Sequence, residues 1–270
     1  MIRGRARSHA FPRVTRLRLL FGATALLLAQ GALAELSGDS LVGAGMRSQP
    51  AYDGANAQRG QLVPVLRYFS DPWFLRSTQD VLETGLRARL ATNLHAGVQL
   101  AYEPGRITGE SAFLQAHGLP DVDPGVSLGA HVEWDPRIGS CPLTLLLRGR
   151  KFTDARRGTQ VDMRLSAGVT RRGPLALGTF VELTWANARS IQSFYGVSAS
   201  QAALSNLPAF SGGGGLLTAN AGFGARLDLS RHWLLVGAVE THRLRGNAAR
   251  SPLAERSSNE YETLGLAYVF

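Results

Sequence analysis

From about residue 39 to the C-terminus, apolar and polar residues alternate with a period of two. In 126–134, Val126, Leu128, Ala130, Val132 and Trp134 fall on one face, and Ser127, Gly129, His131 and Glu133 on the other. Successive side chains of a strand point to opposite faces, so sustained alternation predicts a strand. In 217–229, Leu217, Ala219, Ala221, Phe223, Ala225, Leu227 and Leu229 oppose Thr218, Asn220, Gly222, Gly224, Arg226 and Asp228. Segments 161–169 and 98–102 read the same way. Segment 175–185 follows the pattern with a local break at Thr179-Phe180, and 233–244 begins apolar on both faces.

The alternation predicts about twelve strands: 39–49, 61–69, 73–78, 81–91, 95–104, 126–135, 143–153, 160–170, 175–187, 216–229, 233–245 and 261–270. Most approach the roughly 9–11 residues that a tilted strand needs to cross a bilayer. The break at Gln79-Asp80 matters to that number, since merging the strands there spoils the even count; ten strands is the alternative. Connections at 70–72, 92–93, 137–142, 171–174 and 230–232 are short, whereas 50–60, 105–125, 188–215 and 246–260 are long. Period two alone does not separate a soluble sandwich from a membrane barrel. The alternation of short turns with long loops does, together with aromatics near strand ends (Trp73, Tyr102, Trp134, Trp185, Trp233, Tyr268) and a polar face rich in Gly and in charges of both signs. The predicted fold is all-β, an antiparallel up-and-down transmembrane β-barrel over 35–270. Only helices and closed barrels satisfy every backbone hydrogen bond in hydrocarbon, and no apolar run beyond residue 34 is long enough for a helix.

The N-terminus changes the charge reading. Arg3, Arg5, Arg7, Arg13, Arg16 and Arg18 precede an apolar run at 19–28 and then Ala32-Leu33-Ala34, the order of a signal peptide cleaved after Ala34. No Cys follows that run, which argues against a lipoprotein. The formal charge of +9 includes those six arginines; the remaining chain holds 23 basic against 20 acidic residues, a net of +3. That balance gives no footprint for nucleic acid. One cysteine, Cys141, sits in a turn-like Ile138-Gly139-Ser140-Cys141-Pro142 and reads as an incidental thiol.

Alternation aims many charges inward: Glu83, Arg87 and Arg89; Glu103; His131 and Glu133; Arg148 and Arg150; Asp162 and Arg164; Glu182; Arg226 and Asp228; Glu240 and His242. They fit either a selective pore lined by charges or a ladder of ion pairs filling the lumen. Mixed signs at similar depth favour the ladder, because an unpaired charge in a confined lumen is costly. No catalytic, metal or cofactor site is predicted. Ser127 and His131 share a face but stand about 13 Å apart along one strand, and the histidines lack metal-ligand spacing. The glycine run 212–215 lacks the Lys and Ser/Thr of a phosphate loop and reads as a hinge or a close approach. The loop 190–211 carries Phe194, Tyr195, Leu204, Leu207 and Phe210, which suggests packing across the barrel mouth or contact with a partner. Residues 199–204 suit a short helical turn.

That loop carries a resemblance. Phe194-Tyr195-Gly196-Val197, then Gln201-Ala202, then Ser205-x-Leu207-Pro208-Ala209-Phe210 is similar to the signature loop of the MipA/OmpV family. Gly43-x-Gly45, Pro50-x-Tyr52-x-Gly54, Tyr102-x-x-Gly105-Arg106, Leu119-x-Asp121-x-Asp123, His232-Trp233, Gly246-Asn247-Ala248-Ala249-x-Ser251-Pro252 and Tyr268-x-Phe270 match in order. Pro124-Gly125, the length of the 212–215 run and residues 76–83 depart from the pattern. The ending Leu264, Leu266, Tyr268, Phe270 resembles the signal read by the outer-membrane assembly machinery. The resemblance implies an outer-membrane barrel in contact with lipid, without a catalytic motif. It also implies a scaffold between a lytic transglycosylase and a bifunctional murein synthase; other members are described as antigens or adhesins. A diffusion pore remains the alternative.

Overall fold

The computed structural model describes residues 39–78 and 81–270; the signal peptide expected over 1–34 lies outside the described residues, as does the Gln79-Asp80 turn itself. Among the described residues twelve long strands form a closed ring: β1 (Leu41–Pro50), β2 (Gln58–Ser70), β3 (Trp73–Thr78), β4 (Val81–Ala91), β5 (Leu94–Glu103), β6 (Gly125–Trp134), β7 (Cys141–Phe152), β8 (Thr159–Arg172), β9 (Leu175–Ala186), β10 (Gly215–Asp228), β11 (Trp233–Leu244) and β12 (Ser258–Val269). Each pairs antiparallel with its neighbours in sequence. The ring closes where β12 meets β1, Leu41 opposite Val269 and Ser48 opposite Glu262. A two-residue strand, Arg137–Ile138, folds back on Cys141-Pro142 through a tight turn with Gly139 at φ 61°. Two strands begin earlier than the apolar pattern: β2 at Gln58 and β12 at Ser258. These extensions lie at the long-loop end, where the wall rises beyond the apolar belt and the pattern no longer marks it.

The belt is on the outside. Met46, Leu62, Leu100, Leu128, Val169, Val181, Phe223 and Leu264 are all exposed, as are Trp73, Tyr102, Trp134, Trp185, Trp233 and Tyr268 at strand ends. The opposite face is buried and polar, the reverse of a soluble sandwich. The expected break at Thr179-Phe180 is absent from the backbone: β9 alternates throughout, with Phe180 aimed inward and buried. Phe180 fits because its cross-strand partner is Gly222, where a Cβ would lie 2.6 Å from the ring. Arg164 stacks on the ring at 3.6 Å.

The long loops hold the helices α1 (Ala112–Ala116), α2 (Ala188–Tyr195) and α3 (Ala199–Ser205). Asn187 caps α2 by accepting from Ser190 N–H at 3.0 Å, and Ser198 with Gln201 forms a capping box on α3. None of the described helices is long and apolar enough to cross a membrane.

Candidate functional site

The interior carries side chains at three levels. At the short-turn end one side of the interior, formed by the adjacent strands β11, β12, β1 and β2, is apolar: Leu41, Leu234, Val236 and Ala267 are buried together, with Val65 and Val269 packed against them. This is the use of a β11 that starts apolar on both faces: Leu235 takes the wall while Leu234 and Val236 fill the interior.

The middle is a charge layer. Glu83 on β4 accepts from Arg76 Nε at 2.7 Å and Gln99 Nε2 at 2.9 Å, and also pairs with Arg148. Arg148 stands on β7, three strands along the ring, so this pair spans part of the interior instead of bridging neighbouring strands. Arg148 Nε reaches Asp162 at 2.9 Å. Asp162 also accepts from Arg150 Nε at 2.9 Å and Thr184 at 3.0 Å. Arg150 continues to Glu103 at 2.6 Å, and the Ser127 hydroxyl donates to Glu103 at 2.6 Å. Arg76 ties across to Glu133 at 2.9 Å. Two further groups complete the layer: Arg164 with Glu182 at 3.3 Å, where Asn220 also donates, and Arg47 with Glu240 at 3.4 Å. Glu83, Glu103, Glu133, Arg148, Arg150, Asp162, Arg164, Glu182 and Glu240 are all buried. Charges this deep persist only when paired and hydrogen-bonded, so the layer is a cross-brace of the wall.

Other charges lie apart from it. Arg226 pairs with Asp228 at 2.6 Å and Asp39 at 2.7 Å near the short-turn rim. Arg87 is half-buried beside Glu133, and Arg89 is exposed.

The third level is a cap at the long-loop end, built from residues far apart in sequence. Ala51, Tyr52, Ala55, Leu114, Leu119, Val197 and Leu253 form one buried cluster. Ala186, Ile191, Tyr195, Leu244 and Ala248 form another. The signature loop supplies much of both. Val197 pairs with Phe210 through reciprocal backbone bonds of 2.9 and 2.8 Å, while Ala202, Leu207 and Phe210 pack on the first cluster. Ser205 is buried and accepts from Leu207 N–H, Gln201 closes the capping box, Gly196 bonds back to Gln192, and Pro208 is exposed. Gly212 is a close approach: a Cβ there would sit 2.9 Å from Ile191 and 3.0 Å from Asn247.

Two arginines lock the cap. Arg106 donates to the carbonyls of Phe194 and Pro120, and Arg157 to those of Asp123 and Pro104 while lying 4.1 Å from the Phe152 ring. Burial lowers the Arg106 guanidinium below its ordinary value. Tyr195 Oη donates to Asp53 O at 3.2 Å, and burial, with the Asp53 charge, raises the phenol well above its ordinary range. Burial alone raises the Asp53 carboxyl. His242 at 3.5 Å and the Tyr261 hydroxyl at 2.6 Å outweigh that and hold it below its ordinary value.

Candidate chemistry is sparse. Ser127 is engaged by Glu103, and His131 Nδ1 lies 2.6 Å from Gln99 Oε1. His95, Glu133 and Asp135 come close enough to hold a metal ion, a grouping that spacing along the chain does not reveal. There Glu133 already pairs with Arg76 and Asp135 accepts from Thr144 at 2.7 Å, so the cluster reads as part of the ion-pair brace. Cys141 Sγ donates to Gly168 O at 3.1 Å.

Among solved structures, an outer membrane channel from Pseudomonas putida F1 superposes with a TM-score of 0.50 at 13% identity, covering 86% of this chain and 96% of that one. LpxR from Salmonella typhimurium gives 0.47 at 8%, covering 84% and 100%, and the KdgM porin 0.46 at 7%, covering 85% and 99%. The first of these shows a shared barrel fold. No curated protein sequence matches. The family model described as MltA-interacting protein MipA matches residues 42–270, the whole barrel from β1 through the final Phe270. On that match the chain is an outer-membrane β-barrel and belongs to the MltA-interacting protein MipA family.

Proposed function

We propose that this barrel is a non-conducting interaction protein of the cell envelope, a scaffold for murein-cleaving and murein-synthesising enzymes. One observation carries the reading against a diffusion pore: an apolar cluster, a buried charge layer and a loop-built cap lie in series along the axis. Among the described residues, the interior holds a cavity of about 210 Å³ under the cap and one of about 120 Å³ beside β2 and β3. The family's name supplies the partner class, a lytic transglycosylase. Export uses the signal peptide cleaved after Ala34, and Leu264, Leu266, Tyr268 and Phe270, at the closing seam, present the assembly signal.

The periplasmic contact is assigned to the Arg137–Ile138 hairpin, which adds its own strand pairing to an otherwise short turn and leaves Ile138 70% exposed. The test is a planar-bilayer recording of the purified barrel, alongside co-precipitation of murein enzymes from the periplasm. The expected result is no steady conductance, with capture of a transglycosylase that Ile138→Asp weakens at least fivefold. Steady conductance altered by Arg148→Glu makes transport the function instead.

A further inference from the structure

The wall is notched beside β3. Strand β2 has thirteen residues and β3 six, and their ladder runs only from Arg67 opposite Arg76 to Ser70 opposite Trp73. Among the described residues, the rest of β2 has a strand partner on its β1 side alone. The edge so exposed is finished by side-chain chemistry. Pro64 carries no N–H there, and its carbonyl accepts from the Ser77 hydroxyl at 2.8 Å; the same hydroxyl accepts from Leu66 N–H at 3.0 Å. A proline at an unpaired edge also blocks the addition of another strand.

The 120 Å³ cavity lies at this notch, and its lining comes from both faces of the wall. Val63 and Val65 face inward. Leu66 is opposite exposed Val42 and Leu82 opposite exposed Tyr102, so both face the membrane. Among the described residues, the lining therefore reaches from the membrane face to Val236 and Ala238 inside. Its mouth lies within the apolar belt, with Leu62 70% and Met46 58% exposed beside it. Beyond the notch, toward the long loops, Arg59 pairs with Glu110 and holds the β5–β6 loop to the upper part of β2.

We propose that the notch is a lateral binding site for a single hydrocarbon chain of a membrane amphiphile. Val63, Val65, Leu66, Val81 and Leu82 line its path, and the ionic groups that also line it are engaged: Arg76 with Glu133, Arg47 with Glu240, Arg164 with Glu182, and Arg67 over the Phe69 ring. A strongly polar ligand has no reason to leave water for such a site, whereas a methylene chain already in the bilayer enters without crossing water. The site goes beyond the scaffold reading and is tested separately from it.

The experiment titrates the detergent-purified barrel with cis-parinaric acid, a fluorescent fatty acid, and in a second arm with a phospholipid carrying a parinaroyl chain. Saturable enhancement near one chain per barrel is expected in at least one arm, and the arm that saturates identifies free acid or lipid as the source. Leu66→Trp blocks the mouth and Ala238→Phe fills the inner end; each is expected to weaken binding at least tenfold, while Leu128→Trp, on the lipid face away from the notch, leaves it unchanged. Leu66 is only half-buried, so its variant keeps the test valid should Ala238→Phe fail to fold. A linear, unsaturable rise in both arms, or saturable binding indifferent to the mouth and interior substitutions, overturns the proposal.

Discussion

The charge layer and the cap occupy the same lumen and are held by opposite means. The layer is made by strands, from groups whose direction is fixed by pleat and register, and it is held by ion pairs such as Arg148 with Glu83 and Asp162. The cap is made by loops and held by apolar burial, with Leu114, Ile191 and Leu253 fully enclosed. A strand-borne brace is part of the wall and fails with it. A loop-borne cap can loosen while the barrel stands, because its contacts are not those that pair the strands. The comparison predicts that damage to the layer is global and damage to the cap is local.

The largest effect is expected in the layer. Arg148→Ala leaves Glu83 and Asp162 without their shared cation in a buried site, a loss of about 3–5 kcal/mol. The unfolding midpoint in urea, followed by heat-modifiable mobility, is expected to fall accordingly. Arg156→Ala, which removes the exposed pair with Asp154, is expected to leave the midpoint unmoved. Equal midpoints for the two variants break the distinction between brace and surface charge.

Leu114→Ala in the cap is expected to cost about 2–5 kcal/mol, confined to the loops. Protease cleavage within 104–124 should speed up while the urea midpoint of the barrel stays near wild type. A midpoint that falls with the cleavage rate would join cap and barrel into one cooperative unit. Gly222→Ala tests the wall at the level of the charge layer. It drives a methyl group into the Phe180 ring, a strain of about 1–3 kcal/mol, visible as a smaller midpoint shift than that of Arg148→Ala.

The contrast also explains what the sequence made legible. Strand alternation needs only neighbouring residues, so the membrane face and the inward set around Arg148 could be read directly, and the short turns gave strand order. The pairing of those charges could not be read, because Arg148 with Glu83 and Arg47 with Glu240 depend on the curvature that brings non-adjacent strands together. The cap was visible only as apolar content in 190–211. Its partners Tyr52, Leu114 and Leu253 lie in three other loops without periodicity. The notch beside β3 was hidden for another reason: strand lengths of nine and six could be counted, but not the register that leaves the upper part of β2, among the described residues, without a strand partner on its β3 side.

The smallest effect separates the two regions by pH. Asp53 belongs to the cap, and its carboxyl is held below the ordinary 3.8 despite burial, chiefly by His242 and then by the Tyr261 hydroxyl. A carboxyl depressed in the folded state contributes stability in full above its unfolded value and loses it as pH falls through the folded one. The Asp53 contribution to cap stability is therefore present in full above about 3.8 and declines below it. Pepsin cleavage in 50–60, followed from pH 5 to pH 2, is expected to accelerate in that lower window before strand circular dichroism changes. Asp53→Asn keeps the shape of the side chain but removes its charge, so the variant should cleave faster at pH 5 and show a flatter profile. An identical profile in wild type and variant would mean that the acid-sensitive group lies elsewhere, and that the Asp53–His242 contact does not hold the cap to the barrel.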